Sequence, residues 1–264
     1  MLLENKNAII YGAGGGIGGG VARTFAREGA RVFLTGRTRE PLETVAADIA
    51  AAGGTAEVAV VDALEEQAVE EHARRVASEA GSIDVSFNLI TRGDVQGVPL
   101  VDMKTEEFAG AVTNGLVSSF LTARAAARQM IRQGSGAILY LTSGSARGAM
   151  PLMGNTGPAD AAVETFMRYL AAEVGPHGVR VLGLYTAGVP ETLVPDKLAA
   201  VNRTMKGLDA AAVEQMVGGL AQMTMLRRAP RLAQVAEVAA FLASDRAGAM
   251  TGTVTNVTCG LVPG

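Results

Sequence analysis

The chain has 264 residues, of which 48% are hydrophobic, and carries a formal net charge of −3. This composition is too apolar for a disordered chain, and no run approaches the roughly eighteen apolar residues that a membrane-spanning helix needs. Basic and acidic residues are interspersed, which argues against a nucleic-acid or membrane surface. The single cysteine, Cys259, excludes an intramolecular disulfide and fits a reducing compartment, so we expect a cytoplasmic protein.

Short apolar segments alternate with segments rich in Ala, Glu and Arg that have helical spacing. The apolar segments predict seven strands, at Asn7–Tyr11, Arg31–Thr35, Ala56–Val61, Val85–Ile90, Ala137–Thr142, Val179–Tyr185 and Thr253–Thr258. The segments between them predict helices at Gly18–Gly29, Glu40–Ala52, Glu65–Ala80, Thr105–Gln133, Ala159–Gly175 and Ala233–Ala243. This alternation indicates a parallel sheet covered by helices on both faces. We therefore predict one α/β domain over residues 1–264, a doubly wound Rossmann fold with its binding crevice at the C-terminal ends of the strands.

A glycine-rich turn follows the first predicted strand and opens the first helix. Gly12 allows a tight turn, Gly16 lets the backbone approach a pyrophosphate, and Gly18 allows close packing of helix on strand. The helix N-terminus offers free N–H groups and a partial positive charge to phosphates. A glycine-rich turn without a ligand is the alternative. The residues predicted to contact a dinucleotide are Gly12, Gly14, Gly15, Gly16, Ile17 and Gly18.

The glycine spacing Gly-x-x-x-Gly-x-Gly and the segment Gly136–Ser143 resemble those of classical short-chain dehydrogenases/reductases, and the resemblance covers essentially the whole chain. Leu170–Val181 follows the family pattern without a gap. The resemblance implies an NAD(P)-dependent oxidoreductase without a metal site, acting on a small molecule that the sequence does not identify. It also implies a homo-oligomer, a tetramer, whose subunits pack through long Ala-rich helices.

Further cofactor candidates lie outside the glycine loop. Arg37 follows the second strand, where a cation suits the 2′-phosphate of NADP, whereas an acidic residue would bind the 2′-hydroxyl of NAD. We therefore expect NADP rather than NAD, with a solvated loop arginine as the alternative. The resemblance assigns Asp62, next to Ala63, to the adenine ring and makes Asn88 the first Asn of the family's Asn-Asn-Ala-Gly. The bulkier Leu89–Thr91 that follows is expected to crowd the inner ribose.

The catalytic positions depart from the family. The family keeps a catalytic Asn, Ser, Tyr and Lys where this sequence has Gly115, Ser143, Thr156 and Asp160. In the family, the Tyr transfers the substrate proton, and the Lys lowers its pKa and holds the nicotinamide ribose. A threonine hydroxyl is a far weaker acid than a phenol, and an aspartate brings the wrong charge to a developing oxyanion. Ser143 alone can still polarise a carbonyl.

A structural interpretation of these positions is also open. Thr156 or Gly157 would then cap a helix whose first residue is Pro158, and Asp160 in the first turn would complement the helix dipole. On this view Pro158 starts the helix late and leaves position 156 outside the regular turn that leads to position 160.

Other side chains could replace the missing Tyr or bind a substrate. Tyr185, at the end of the sixth strand, is the candidate proton donor. Arg92 and Arg147 lie in loops near the crevice, where paired arginines would suit a carboxylate or phosphate, and solvated loop charges are the alternative. His72 is expected on a surface helix, and His177 at the opposite end of the sheet.

Residues 190–226 form a Met-bearing insertion before the last helix. In the family this region is the substrate lid, and ordinary helical packing by adaptable Met side chains is the alternative. Three functions remain open. One is an NADP(H)-dependent oxidoreductase whose proton travels through water or Tyr185. Another is a nucleotide-binding protein without redox chemistry, such as a sensor or an inactive partner subunit. The third is a lyase or cyclase that uses Ser143.

Overall fold

The protein, described here by a computed structural model of residues 1–148 and 150–263, is built on one parallel sheet. Its strands lie in the order β3-β2-β1-β4-β5-β6-β7. The strands are β1 (Asn7–Tyr11), β2 (Arg31–Gly36), β3 (Thr55–Val60), β4 (Val85–Asn88), β5 (Gly136–Ser143), β6 (Val179–Thr186) and β7 (Thr253–Val257). The order reverses between β1 and β4, which opens a crevice at the C-terminal ends of the strands. The predicted Rossmann fold is confirmed.

Helices cover both faces of the sheet. Those of the described residues are α1 (Gly16–Arg27), α2 (Arg39–Ala51), α3 (Glu66–Ala80), α4 (Thr105–Gln133), α5 (Thr156–Val174), α6 (Pro195–Val201), α7 (Ala210–Met223) and α8 (Leu232–Ala243). Successive strand residues face opposite sides, so Ile9 belongs to the core under α3, α4 and α5, while Ile10 belongs to the core under α1, α2 and α8. Within the described ranges, no helix is long and apolar enough to cross a bilayer.

The segment 190–226 contains α6 and α7 and is joined to the loop after β4. The Gln96 N–H donates to the Val201 carbonyl at 2.8 Å, and the Arg203 N–H donates to the Gln96 carbonyl at 3.0 Å. Met223 and Met225 are 62% and 70% exposed, so these methionines do not fill a core within the chain. The role of this segment as a substrate lid stays a prediction.

The expectation that His72 lies on a surface helix face is wrong. Its side chain is buried in the core beneath the glycine loop, edge-on to Tyr11 with 6.4 Å between ring centroids. Both imidazole nitrogens of His72 and the hydroxyl of Tyr11 lack a hydrogen-bond partner among the described residues. Desolvation, with a smaller contribution from nearby Arg75, lowers the pKa of His72 to about 4, so the imidazole is neutral at neutral pH.

The buried His72 should make stability fall as the pH falls. The folded-state pKa is lower than the ordinary 6.5, so the unfolded chain takes up this proton first and stability is lost as the pH falls from about 6.5 to about 4. We expect His72→Leu to remove up to about 3 kcal/mol of this pH-dependent loss, measured by urea unfolding across that range. The control His177→Leu, at an exposed site, should leave the slope unchanged. If the free energy of unfolding varied with pH equally in His72→Leu and in the parent, the lowered pKa of His72 would be contradicted.

Candidate active site

A cleft of about 240 Å³ lies at the C-terminal ends of β1, β2 and β3. Six of the ten residues predicted to bind the cofactor line it, namely Gly12, Gly14, Gly15, Arg37, Asp62 and Ala63. The other four, Gly16, Ile17, Gly18 and Asn88, lie next to it along the chain. The sequence therefore places most of its candidates around one cavity.

The glycine loop has steric reasons for its composition. Gly12 has φ +80°, and a Cβ there would lie 2.5 Å from the Leu89 carbonyl oxygen. A Cβ on Gly18 would overlap the carbonyl oxygen of Gly12, so α1 packs directly on the turn. The helix begins at Gly16, two residues before the predicted Gly18, and its first N–H groups lack helical acceptors. Such N–H groups at the mouth of a cleft can bind phosphate oxygens.

Three polar candidates have different surroundings at this cleft. Arg37 is exposed at its edge and has no ion-pair partner within the described part of the chain. Asp62 accepts the N–H of Leu64 at 3.0 Å through one carboxylate oxygen. Asn88 is buried and accepts the N–H of Ile90 at 3.1 Å, which closes the turn after β4. Asn88 therefore shapes the loop, while Arg37 is left available to a ligand.

Ser143, the predicted catalytic serine, is part of a network around a buried carboxylate that we call the Asp160 clamp, formed by Arg92, Ser143 and Asp160. The carboxylate of Asp160 is 1% exposed. One of its oxygens accepts Arg92 Nη1 at 2.6 Å, and the other accepts the hydroxyl of Ser143 at 2.6 Å and its N–H at 3.0 Å. Arg92 also contacts Asp94, with Nε 2.9 Å from a carboxylate oxygen. Both oxygens of Asp160 are therefore occupied inside the protein.

Charge and burial act in opposite directions in the Asp160 clamp. Burial raises the pKa of Asp160, and Arg92 and the two Ser143 donors oppose that rise. Burial lowers the pKa of Arg92, but Asp160 and Asp94 outweigh it, so that the pKa of Arg92 is raised. The paired, charged state is the one consistent with three donors converging on Asp160.

A second network of the same design lies one helical turn further along α5. This Glu164 clamp consists of Thr142, Arg147 and Glu164, and one oxygen of Glu164 accepts both the Thr142 hydroxyl and Arg147 Nη1, each at 2.7 Å. The guanidinium of Arg147 lies over the ring of Tyr185, 4.2 Å from its centroid. Tyr185 is 1% exposed. Burial beneath Arg147 weighs against Tyr185 as the proton donor.

These contacts correct two expectations. Arg92 and Arg147 are not a pair free for an anionic substrate, because each binds a buried carboxylate of α5. Arg92 is largely enclosed, whereas Arg147 is exposed as well as paired. The signal in the sequence was the i, i+4 spacing of Asp160 and Glu164, which places two acidic side chains on one face of a helix. That face lies against the end of β5.

The start of α5 also differs from expectation. The helix begins at Thr156, with Asn155 as the flanking residue, so Pro158 is its third residue rather than its first. A proline is tolerated there because N–H groups of the first turn need no helical acceptor. Positions 156 and 160 therefore share a regular turn, and the predicted late start is wrong. Asp160 is the fifth residue of α5 and lies outside its first turn, where the dipole would favour an acidic residue most.

Thr156 and Gly115 are also enclosed. The hydroxyl of Thr156 accepts Gln96 Nε2 at 3.0 Å. A Cβ on Gly115 would lie 2.9 Å from Cδ of Arg92, so the arginine occupies the space that a side chain at position 115 would fill. Beside them is a cavity of about 80 Å³ lined in part by Asn88 and Tyr140. The described residues include no cluster of acidic, His or Cys side chains arranged to hold a metal ion.

Comparisons with known proteins cover nearly the whole chain. A family model described as Enoyl-(Acyl carrier protein) reductase matches residues 12–262. The 7alpha-hydroxysteroid dehydrogenase of Escherichia coli (strain K12) is 30% identical over 260 residues, which are 98% of this chain and 95% of that protein. The L-rhamnose 1-dehydrogenase (NAD(P)(+)) of Azotobacter vinelandii is 32% identical over 271 residues, covering 99% and 98%.

Solved structures also resemble this chain over nearly its whole length. A short-chain type dehydrogenase/reductase from Mycobacterium marinum superposes with a TM-score of 0.83 at 27% identity, covering 99% of this chain and 97% of that one. A 7alpha-hydroxysteroid dehydrogenase complexed with NADH and 7-oxo glycochenodeoxycholic acid has a TM-score of 0.82 at 27% identity, covering 98% and 94%.

The Asp160 clamp should contribute measurably to stability. Asp160→Ala leaves Arg92 buried with only Asp94, and we expect the free energy of unfolding to fall by about 3 kcal/mol. The double variant Arg92→Met/Asp160→Leu should lose clearly less than the sum of the losses of Arg92→Met and Asp160→Leu, because it leaves neither buried partner of this pair without the other. Asp94, 20% exposed, loses Arg92 equally in Arg92→Met and in the double variant. As a control, Asp48→Ala breaks a pair with Arg23 whose side chains are 52% and 42% exposed, and should cost less than about 1 kcal/mol. If the losses in unfolding free energy, measured by urea unfolding, were strictly additive, the coupling between Arg92 and Asp160 would be refuted.

Proposed function

The chain belongs to the classical short-chain dehydrogenase/reductase family, a family of oxidoreductases, and we propose that it binds NADP(H) but lacks the family's proton-transfer chemistry. The observation that carries this proposal is the Asp160 clamp, in which the Ser143 hydroxyl donates to one carboxylate oxygen of Asp160 and Arg92 donates to the other. The proposed role is that of a nucleotide-binding protein, either a sensor or an inactive partner subunit.

The residues around the cleft fit the adenosine and phosphate parts of a dinucleotide. The glycine loop offers N–H groups and close backbone approach to the pyrophosphate, and Asp62 and Ala63 border the place where the resemblance puts the adenine. Arg37, at the cleft edge, supports NADP over NAD because a guanidinium can bind a 2′-phosphate through two hydrogen bonds. A bound nicotinamide dinucleotide supplies or accepts a hydride.

The residues beyond the cleft do not provide a proton donor for that hydride chemistry. The Ser143 hydroxyl donates its hydrogen bond to Asp160, and the Thr156 hydroxyl, which accepts a hydrogen bond from Gln96, is a far weaker acid than a phenol. A negative carboxylate stands where the family's lysine would lower the pKa of a neighbouring phenol. The negative charge of Asp160 would destabilise an oxyanion that develops beside it. Arg92 offsets this effect only in part, because its positive charge is already paired with Asp160.

A second candidate function draws on the cavity of about 80 Å³ next to Arg92 and Asn88. Its polar lining could hold about two water molecules, each of which occupies about 30 Å³ in the liquid. A water chain there would provide the proton path of an unusual NADP(H)-dependent oxidoreductase. Turnover of NADPH by the parent protein would distinguish this function from the first.

We also propose that the protein is a homo-oligomer, a tetramer, assembled in part through α4 and α5. These helices form an open, apolar groove of about 780 Å³ lined by Leu116, Val117, Phe120, Ala161, Ala162, Thr165 and Phe166. Phe120 is 42% exposed and nearby Tyr169 is 71% exposed. A contiguous apolar patch of this kind supports a protein–protein contact.

Arg37 should set the preference between the two cofactors. Arg37→Ala removes a charge-assisted contact to the 2′-phosphate, so the affinity for NADP should fall by at least about tenfold while that for NAD stays within about twofold. Calorimetric titration measures both. The matched control is Arg39→Ala, since Arg39 is also exposed but lies 3.5 Å from Glu43. An unchanged ratio of NADP to NAD affinity would remove the role given to Arg37.

The parent protein should not oxidise NADPH in the presence of ketones that serve the family. We expect Thr156→Tyr/Asp160→Lys to restore little activity, because the new lysine would meet the buried guanidinium of Arg92. Adding Arg92→Ala and Gly115→Asn should raise the rate more than additively, since Arg92 must leave before a side chain fits at position 115. The assay follows the loss of NADPH absorbance. Strong turnover by the parent would instead support the water path.

Assembly should depend on the α4/α5 groove. We expect light scattering at micromolar concentration to give a mass several times the 27.0 kDa of one chain. Phe120→Asp places a charge in the groove and should lower the mass, because an unpaired charge is costly in an interface. The control Phe108→Asp changes a phenylalanine of similar exposure, 40%, that lies outside the groove. A parent protein that is monomeric would remove the proposal.

A further inference from the structure

We infer that the site recognises the 2′-phosphorylated ADP part of its ligand and not the nicotinamide part. This inference rests on the proposed function. Its consequence is that adenosine 2′,5′-bisphosphate, NADP⁺ and NADPH bind with similar affinity. The ligand class would then be adenosine nucleotides that carry a ribose 2′-phosphate, whatever is attached to the 5′-phosphate.

The polar groups of the Asp160 clamp spend most of their hydrogen-bonding capacity on one another. Each oxygen of Asp160 already accepts a charge-assisted or hydroxyl hydrogen bond, and the side chain is 1% exposed. The hydroxyl of Ser143 donates to Asp160 and also accepts the Ser145 N–H at 3.2 Å. Ribose hydroxyls placed here would compete with the bonds of the Asp160 clamp, so they add little net polar contact.

The crevice also has more open space next to Arg37 than next to Arg92. The loop after β6 closes on the glycine loop, since a Cβ on Gly16 would lie 2.9 Å from Cγ2 of Thr192. The cavity on the side of Arg92 and Gly115 is about 80 Å³, whereas the cleft next to Arg37 is about 240 Å³. The smaller cavity admits water but is too small for a pyridine ring with its ribose. A nicotinamide would therefore lie outside this cavity, and we infer that it adds little to affinity.

At the adenosine end of the crevice, groups that can bind phosphate remain available to a ligand. Arg37 is exposed with no ion-pair partner within the described ranges, and the first N–H groups of α1 lie beside the same cleft. Charge-assisted hydrogen bonds to phosphates are about twice as strong as neutral ones, so these groups should provide most of the binding free energy. A protein of this kind responds to the concentration of the 2′-phosphorylated nucleotide and not to its oxidation state.

The test is calorimetric titration of the full-length protein with adenosine 2′,5′-bisphosphate, NADP⁺, NADPH and 5′-ADP. We expect the first three dissociation constants to agree within about threefold and 5′-ADP to bind at least about tenfold more weakly. NADP⁺ or NADPH binding about tenfold tighter than the bisphosphate would overturn the inference while leaving the proposed cofactor in place. Absence of binding by all four ligands would overturn both.

Two variants separate ligand recognition from damage to the fold. Arg37→Ala should weaken the three 2′-phosphorylated ligands by the same factor and leave 5′-ADP unchanged. Leu141→Ala should leave all four affinities within about twofold, because Leu141 lines the smaller cavity and not the cleft next to Arg37. Selective loss of NADP(H) binding in Leu141→Ala, with the bisphosphate unaffected, would show that the nicotinamide is recognised after all.

Discussion

The buried pair between Arg92 and Asp160 is the interaction on which the arrangement of the crevice depends. A carboxylate removed from water must be paired and hydrogen-bonded, or its desolvation destabilises the fold by several kcal/mol. Here the partners come from three places in the chain, namely the loop after β4, the end of β5 and the start of α5. Satisfying one carboxylate therefore fixes three elements relative to one another.

The Glu164 clamp repeats this solution one turn along the same helix. Thr142 and Ser143, neighbours at the end of β5, each donate a hydroxyl to a different carboxylate of α5. An arginine from a crevice loop completes each set, and Arg147 also covers Tyr185. Two adjacent clamps therefore bind the polar side chains at this end of the crevice largely to one another. The side chains that catalysis would need to expose are the ones that hold the loops in place.

At the glycine-loop end of the crevice, the backbone rather than charged side chains determines the shape. Gly12 and the residues after it must pack against the turn after β4 and the start of α1. The same close packing leaves N–H groups free and a cleft open beside Arg37. The shape of this cleft therefore depends on backbone packing and not on the side chains of the two clamps. This division between the two ends underlies both the proposed function and the inferred ligand class.

The sequence by itself determined the fold, because the strand and helix periods and the glycine turn are local patterns that a parallel sheet satisfies in one way. It also placed Arg37, Asp62 and the glycine loop near one another, since residues at the ends of neighbouring parallel strands share one edge. Only the tertiary structure decided the partners of Asp160 and Arg92, which are 68 residues apart. It alone showed that His72 is buried against Tyr11. Such pairings depend on how loops and helix faces meet across the sheet, and no local spacing encodes that.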